Sequence, residues 1–578
     1  MDPGEIIPGR RIDPRQIRKD VVARLAALET ERESWIPHWR DVSDMILPRR
    51  GRFLTSDRNK GNRRNRKIID NTGTLALRTM AAGLMSGITS PARPWFGLGT
   101  ALSKGEKDDA VQKWLAGVAA VLREVISSSN AYDALAAVYE ELAAFGTAAL
   151  LVYQDDEDVI SCETLTVGQY YIAASDKGQV DTLYRSYSLT VAQLVEQFAP
   201  LQEGKRDWSA ISPSTRTLFE NGRLDAWVEV VQAIEPNRDY RPGPGPSWRK
   251  KWRSVWIEKG APDDLLLRLS GFDLFPAMCP RWNVTAGDIY GTSPAMDALG
   301  DVEQLQAQER DKSLAIQKMV KPPLNVPANL RTNSKINPAP DGTTFYDHAG
   351  GPTPPVATPL YQVMPRLAEM QQDMDRVRQR IRDAFYVDLF LMISQIDRSG
   401  VTATEIDARR EEKLLMLGPV LERLHHEFLD PLIERVFELT GRAGLIPPPP
   451  PVLAGLPLRV RYVSVLAQAQ RAVATGAIER LCGFAGNLGQ SMPQVLDKID
   501  PDQAVESYAE AIGADPRLLR PDDTVAQMRD ARTKAEQGKQ AMDMLQQGAA
   551  GANLLSQTDT TRQSALTDVL SSVTGGPA

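Results

Sequence analysis

The sequence predicts a mainly α protein with a smaller β component, an α+β chain whose longest helices outrun those of an ordinary globular domain. Three observations predict it. Residues 402–440 place Ile406, Leu414, Leu417, Leu421, Leu424, Phe428, Leu432 and Val436 at helical spacing. That helix would run roughly 40 residues, about 60 Å at 1.5 Å per residue, against a mean nearer 11 residues in globular proteins. Segments 293–320 and 365–392 read as two further helices of about 40 Å each. Between residues 148 and 269 the pattern changes to short β-rich runs divided by Gly/Pro turns.

The elements follow in order. Asp13 to about Leu47 is an amphipathic helix broken at Pro37, and residues 49–67 are a basic, Gly/Asn-rich loop in which only Asp57 opposes the Arg and Lys residues. Asp70–Ser86 is a helix rich in small residues, stopped by Pro91 and Pro94. Helices near 106–128 and 131–146 lead into strands at Ala148–Tyr153, Ile160–Thr164, Tyr170–Ala174, Val180–Ser188, Trp227–Ile234, Trp252–Glu258 and Leu265–Leu269. Ser293 before Pro294 is an N-cap with proline in the first turn, and Lys321-Pro322-Pro323 ends that helix near Val320. Some 45 residues rich in Pro, Asn, Gly and Thr follow, with a strand at Thr343–Tyr346. A helix then starts at Pro365, with Leu367, Met370, Met374, Val377, Ile381 and Ala384 in the three-four alternation of a helix-pair seam. A polar loop, Gln395-Ile396-Asp397-Arg398-Ser399-Gly400, precedes the long helix, where Thr402 and Glu405 form a capping box. Pro419 and Pro431 should bend that helix. Beyond the proline run at 447 come helices near 465–482 and 501–513, then a Gln/Ala/Ser/Thr-rich end, weakly ordered or helical only in an assembly.

Composition narrows the function. The 578 residues suffice for several domains, and a net charge of −6 argues against a protein that grips nucleic acid over its whole surface. Cys162, Cys279 and Cys482 are scattered and odd in number, as in a reducing compartment without a disulfide framework. The N-terminus lacks the order of a signal peptide, and the most apolar stretch, Leu75–Ile88, is interrupted by Arg78 and small residues, so no membrane span is expected. No Walker-type phosphate loop occurs, and His425-His426-Glu427 lacks the spacing of a zinc helix, so no catalytic residue, metal or cofactor is assigned. Met85 occupies the place a nucleophile elbow needs for serine, so the small residues around Gly83 are read as helix packing. Trp95 and Phe96 are read as core, and Asp155-Asp156-Glu157-Asp158 as a solvated turn.

Several motifs occur in one order along the chain. Trp35 and Trp39 precede Ile46-Leu47-Pro48, followed by Ile69-Asp70-Asn71-Thr72-Gly73, Ala81-Ala82-Gly83-Leu84-Met85-Ser86-Gly87 and Arg93-Pro94-Trp95-Phe96. Gly291-Thr292-Ser293-Pro294, Lys321-Pro322-Pro323-Leu324, Val401-Thr402-Ala403-Thr404-Glu405 and Leu417-Gly418-Pro419-Val420-Leu421-Glu422-Arg423-Leu424 with Pro431-Leu432 complete the series. In these the chain resembles the portal, or head-to-tail connector, proteins of short-tailed bacteriophages (podoviruses), over roughly residues 20–520.

The resemblance implies a portal-type protomer. Its parts would be a wing (1–290), stem helix 1 (291–320), a clip (321–364), stem helix 2 (365–392), a tunnel loop (393–401), a long bent wing helix (402–445) and a C-terminal wing or crown, a barrel or a partly disordered tail (446–578). It also implies a homo-oligomeric ring of about twelve subunits at one capsid vertex of the virion, assembled in the host cytoplasm. Double-stranded DNA would pass through its channel during packaging and ejection. The major capsid protein, the terminase large subunit, tail adaptor proteins and possible scaffolding and internal ejection proteins would be its partners, with no membrane and no enzymatic activity of its own.

Under that reading the tunnel-loop candidates are Gln395, Ile396, Asp397, Arg398 and Ser399, and the clip candidates for partner binding are Asn333, Lys335, Phe345 and Tyr346. A channel must let DNA slide, because each neutralised phosphate adds affinity. Sparse positive rings could come from Arg376, Arg378, Arg380 and Arg382, with Arg398 in the loop. The more ordinary role of the stem arginines is intersubunit pairing with Glu303, Glu309 and Asp311. The alternative for the whole chain is a helical cytoplasmic scaffold without a DNA channel. An acidic-site hydrolase or nuclease would need convergent carboxylates, and the sequence offers none at a persuasive spacing.

Overall fold

The computed structural model describes residues 13–48, 50–51, 53, 65–100, 109–243, 245–285, 287–327, 337, 339–346, 358–360, 366–395, 417–453, 458–463, 478, 481–488, 492, 494, 498–512, 520 and 524–539. Two units make up the chain, Met1–Ala474 and Thr475–Ala578.

In the first unit, Asp13 caps α1 (Pro14–Glu33) by accepting a bond from Arg15 N. The chain breaks at Ser34–Trp35, just ahead of the expected position. Pro37 lies instead in the first turn of α2 (Ile36–Met45), where its missing N–H costs nothing. Next come α3 (Thr72–Ile88), strand β1 (Phe96–Thr100), α4 (Asp109–Ser128) and α5 (Ala131–Phe145). Helix α5 ends in Gly146 at φ +72°, and a Cβ there would fall 2.5 Å from the Thr292 carbonyl carbon. Glycine thus lets the α5 end touch the entry to the stem, where Trp282 N donates to Gly146 O at 2.8 Å.

Strand β2 (Ala149–Asp155) pairs with β3 (Val159–Leu165) on one side and the short β11 (Ala277–Met278) on the other. A larger antiparallel sheet joins β4 (Tyr170–Ala174), β5 (Val180–Thr190), β8 (Trp227–Pro236), β9 (Trp252–Glu258) and β10 (Arg268–Phe272), in the order β10-β9-β8-β5-β4. The last of these begins three residues later than expected, because Leu265 N is spent on a turn back to Pro262 O. Alternation along the strands buries both faces. Tyr184, Val231 and Val255 pack under Val21 and Leu28 of α1, while Val230 and Trp256 meet α6 (Val191–Phe198). A small β6–β7 ribbon (Leu201–Gln202, Lys205–Arg206) and α7 (Pro213–Glu220) follow α6.

Helix α8 (Pro294–Val320) has the predicted ends, with Ser293 Oγ accepting from Met296 N at 3.1 Å. The second long helix is not continuous. It divides into α9 (Leu367–Ala384) and α10 (Val387–Gln395) at Phe385–Tyr386, where Tyr386 adopts φ +54°. The apolar spacing carries straight across this break, because Phe385, Leu389 and Phe390 are all buried. The start of the long helix, with its Thr402–Glu405 capping box, lies outside the described residues. Its described part is α11 (417–424), a π-helical turn at His425–Leu429 and α12 (Asp430–Arg442). The wide turn falls immediately before Pro431, which cannot donate into an α-helical ladder. Strand β15 (Leu458–Tyr462) then pairs with β1. One core joins α2, α3, α5, β2 and β3 to α8–α12.

In the second unit, α13 (481–488), α14 (Pro501–Ile512) and α15 (524–539) are helical. Arg529 of α15 grips Asp502 of α14 through two bonds of 2.6 Å. The expected helix near 465–482 and the C-terminal end lie almost wholly outside the described residues.

Candidate functional site

Helices α8 and α9 run antiparallel, as their cross-links show. Going up α8 from Asp301 to Lys312, the partners descend α9 from Arg380 to Gln371. Val302 and Leu305 face Met374, Val377 and Ile381 in a seam closed to water. Polar residues flank it: Gln308 donates to Asp373 at 2.7 Å and Lys312 to Gln371 at 2.9 Å. Arg380 holds Asp301 at 2.7 Å, and Arg378 holds Glu309 at 2.6 Å.

Arg378 does more than bridge the pair. It also reaches Asp70 at 2.8 Å and Asp375 at 2.7 Å. Burial raises the Asp70 carboxyl, but bonds from Thr72 and Arg378 outweigh it and hold the group below the usual carboxylate range. Gln306 completes the join: its Oε1 accepts from Ile69 N and Asp70 N at 2.7 and 2.9 Å, and its Nε2 donates to Asp70 O. The approach to α3, with α8 and α9, thus meets at one charged knot. Nothing in the spacing of Asp70 or Gln306 announces this, since the contacts span more than 230 residues.

The predicted site residues sort as follows. Arg378 and Arg380 are engaged within their own chain, and Arg382 lies 3.5 Å from Asp388. The expected acid Glu309 is one of these partners. Arg376 is exposed on the outer face of α9 and forms no ion pair among the described residues. Gln395 ends α10, whereas Ile396, Asp397, Arg398 and Ser399 lie outside the described residues, as do Asn333 and Lys335.

Beyond α8 the chain forms a small three-stranded sheet. Strand β12 (Leu324–Pro327) pairs parallel with β13 (Thr343–Tyr346) and antiparallel with β14 (Thr358–Pro359). Phe345 stands opposite Val326 and is half-buried, and Tyr346 ends its strand. Leading up to this sheet, the far half of α8 exposes Leu314, Ile316, Met319 and Val320, which are 40%, 38%, 45% and 74% accessible.

At the other end, α10 seats on α3. Phe390 fills the space over Gly83, so the small-residue run does serve close packing. A second clamp fixes α11–α12: Arg281 Nη2 and Nε donate to Glu427 at 2.6 and 3.1 Å, with the Arg281 backbone N–H at 3.1 Å. His425 stacks flat on Tyr462 at 4.1 Å, and Tyr462 OH donates to Asp430. Trp95 and Phe96 are buried edge to face, and Asp155 accepts two backbone N–H groups in a turn. Among the described residues no cluster fit for a metal ion occurs, and no helix is long and apolar enough to cross a membrane.

Known proteins resemble the chain over nearly its whole length. Residues 18–519 match the family model described as bacteriophage head to tail connecting protein. The chain is 45% identical over 558 residues to the "Probable portal protein" of Bordetella phage BPP-1, covering 96% of this chain and 99% of that one. It is 42% identical over 561 residues to the "Portal protein" of Salmonella phage epsilon15, covering 97% and 99%. A looser likeness, at 11% identity and TM-score 0.31, covers 77% of this chain and 95% of a chain from the virion of a native gene transfer agent particle. The chain belongs to the bacteriophage head-to-tail connector, or portal, protein family.

Proposed function

We propose that copies of this chain close into a ring of about twelve at one capsid vertex, and that duplex DNA crosses the ring through its axial channel. The observation that carries the reading is the α8–α9 pair. Inside one chain its inner seam is satisfied, while the apolar residues Leu314, Ile316, Met319 and Val320, and Arg376 with no ion pair among the described residues, are left facing outward. Neighbouring stems would cover them, since apolar area of this kind is normally withdrawn from water.

The parts take distinct roles. Arg378, held by three carboxylates, braces the stem and is a poor ligand for passing phosphates; Arg382 beside Asp388 is better exposed. Gln395, Ile396, Asp397, Arg398 and Ser399, leading off α10, form the loop that meets DNA in the channel. The β12–β14 sheet, with Asn333, Lys335, Phe345 and Tyr346, docks the terminase motor during packaging and tail adaptor proteins afterwards. ATP hydrolysis belongs to that separate motor, because no phosphate-loop motif is present in this chain. The wing contacts the capsid protein, and assembly takes place in the host cytoplasm before the ring enters the virion.

Electron microscopy of the purified full chain, viewed end-on, tests the reading. A closed ring with an open axial channel is expected. An open filament, or a closed oligomer without a channel, would overturn it.

A further inference from the structure

The connection between β8 and β9, described almost throughout, departs locally from the acidic character of the chain. Residues 235–253 carry Arg238, Arg241, Arg249, Lys250, Lys251 and Arg253 against Glu235 and Asp239, a local excess of four positive charges in a chain of net −6. Two of these charges are neutralised at the base: Arg253 pairs with Glu235, and Lys250 with Asp273 at 2.9 Å. Arg238, Arg241, Arg249 and Lys251 form no ion pair among the described residues, and Arg238, Arg241 and Lys251 are exposed.

The connection is held in shape. Asn237 Nδ2 donates to both Trp248 O and Lys250 O at 2.8 Å, Asn237 N donates to Lys251 O at 2.9 Å, and Arg241 N to Arg249 O. Beneath it, Gly271 of β10 lets the Ser247 and Trp252 carbonyls approach so closely that a Cβ would fall 2.6 Å from each. Aromatic planes stand among the cations: Arg249 lies over Trp248 at 5.0 Å, Lys251 over Trp252 at 4.3 Å, and Tyr240 is exposed. A braced cluster loses less side-chain freedom on binding than free lysines would. Among the described residues neither the core nor an ion pair uses the outward cations, and a stapled array of this kind suits an anionic partner.

We propose that this β8–β9 turn is a sequence-independent binding site for the phosphate backbone of duplex DNA, on the wing sheet and separate from the stem and its loop. Duplex DNA presents one charge per about 1.7 Å of axis, so a cluster of exposed guanidinium and ammonium groups can meet several phosphates at once. Cations outnumber acids on this turn by four, so charge complementarity favours a polyanion, and the closely spaced phosphates of a duplex match several guanidinium and ammonium groups at once. DNA lying against the outside of the assembly would be held there weakly and in a salt-sensitive way.

Covalently closed circular duplex DNA tests this, because a closed circle cannot be threaded through a ring. The full chain is titrated with such DNA across a salt series, beside the triple variant R238A/R241A/K251A, whose substitutions are all on the surface. Circular dichroism and sizing confirm that the variant keeps its fold and assembly state. The wild type should bind the circles with log K falling steeply with log salt. The variant should show a slope shallower by about 2.7, roughly 0.9 for each lost phosphate contact. Failure of the wild type to bind circles, or an unchanged slope in the variant, would overturn the proposal. So would retained DNA binding by the variant together with lost binding to polyglutamate, which would assign the turn to an acidic protein. None of these outcomes bears on ring closure, which electron microscopy reads independently.

Discussion

Gly83 offers a sharp test of how α10 is seated. In the middle of a helix, replacing glycine by alanine normally stabilises by about 1 kcal/mol. At Gly83 the new Cβ would lie 2.3 Å from the Phe390 Cγ and 2.6 Å from the Phe390 Cβ. Carbon atoms sit at about 3.5–4.0 Å, so α10 must move off α3 by roughly 1 Å. Trimming Phe390 cannot relieve this, since the clash includes its Cβ. Overpacking of this kind costs about 1–3 kcal/mol, which outweighs the helix term at the upper end. Gly83→Ala is therefore expected to destabilise by up to about 2 kcal/mol. Gly117 is the control, because it lies in α4 with nothing within 4 Å of a built Cβ, and Gly117→Ala should stabilise by about 1 kcal/mol. Urea unfolding followed by the fluorescence of buried tryptophans such as Trp39 and Trp95 measures both. Equal stabilisation by the two substitutions would refute the close approach of α10 to α3. Because α10 leads directly to residues 396–400, the Gly83 variant should also package DNA less well than its stability alone explains.

Three further outcomes follow from the same structure. Glu141 is wholly buried, and burial pushes its carboxyl up to about 7, against the pull of Arg50. The folded state then holds a proton that the unfolded chain has released above pH 4.5, so this contribution is full below that pH and is lost as pH rises through 7. Glu141→Gln should flatten the fall in melting temperature between pH 5 and 8 and gain up to about 3 kcal/mol at the alkaline end, and a parallel pH profile would exclude the assignment. Arg281 is 5% exposed and Glu427 17%, so Glu427→Ala strands a buried guanidinium and should cost about 3–5 kcal/mol in a denaturant titration. Replacing Ile396–Ser399 by glycines should leave assembly intact by electron microscopy yet reduce DNA packaging or retention, and an unchanged packaged-genome length would count against a working loop.

Much of the fold was legible in order along the chain. Ser293-Pro294 and Pro322-Pro323 mark the ends of α8, because caps and prolines act through the nearest few residues. Tyr170–Ala174, Trp252–Glu258 and Thr343–Tyr346 read correctly as strands from β-branched and aromatic runs bounded by turns. Where a residue's role depends on a distant partner, local pattern failed. The seam spacing predicted one helix over 365–392, and the break at Tyr386 goes unannounced because buried residues lie on both sides of it. The stem arginines looked suited to a channel or to a neighbouring subunit, whereas Arg378 and Arg380 find carboxylates on their own α8 and on Asp70, just ahead of α3. The cationic turn at 238–251 is plain in the composition but was read only as a turn, because its rigidity comes from Asn237 and from the Gly271 contact on β10.

The sequence by itself determined where α8 starts and stops, which faces are apolar, and, through its ordered motifs, the portal family. Those properties are written within a few residues or a few helical turns. Only the tertiary structure decided which charges are consumed and which remain available. Whether an arginine is a brace or a ligand depends on whether a carboxylate more than 60 residues away arrives within 3 Å of it.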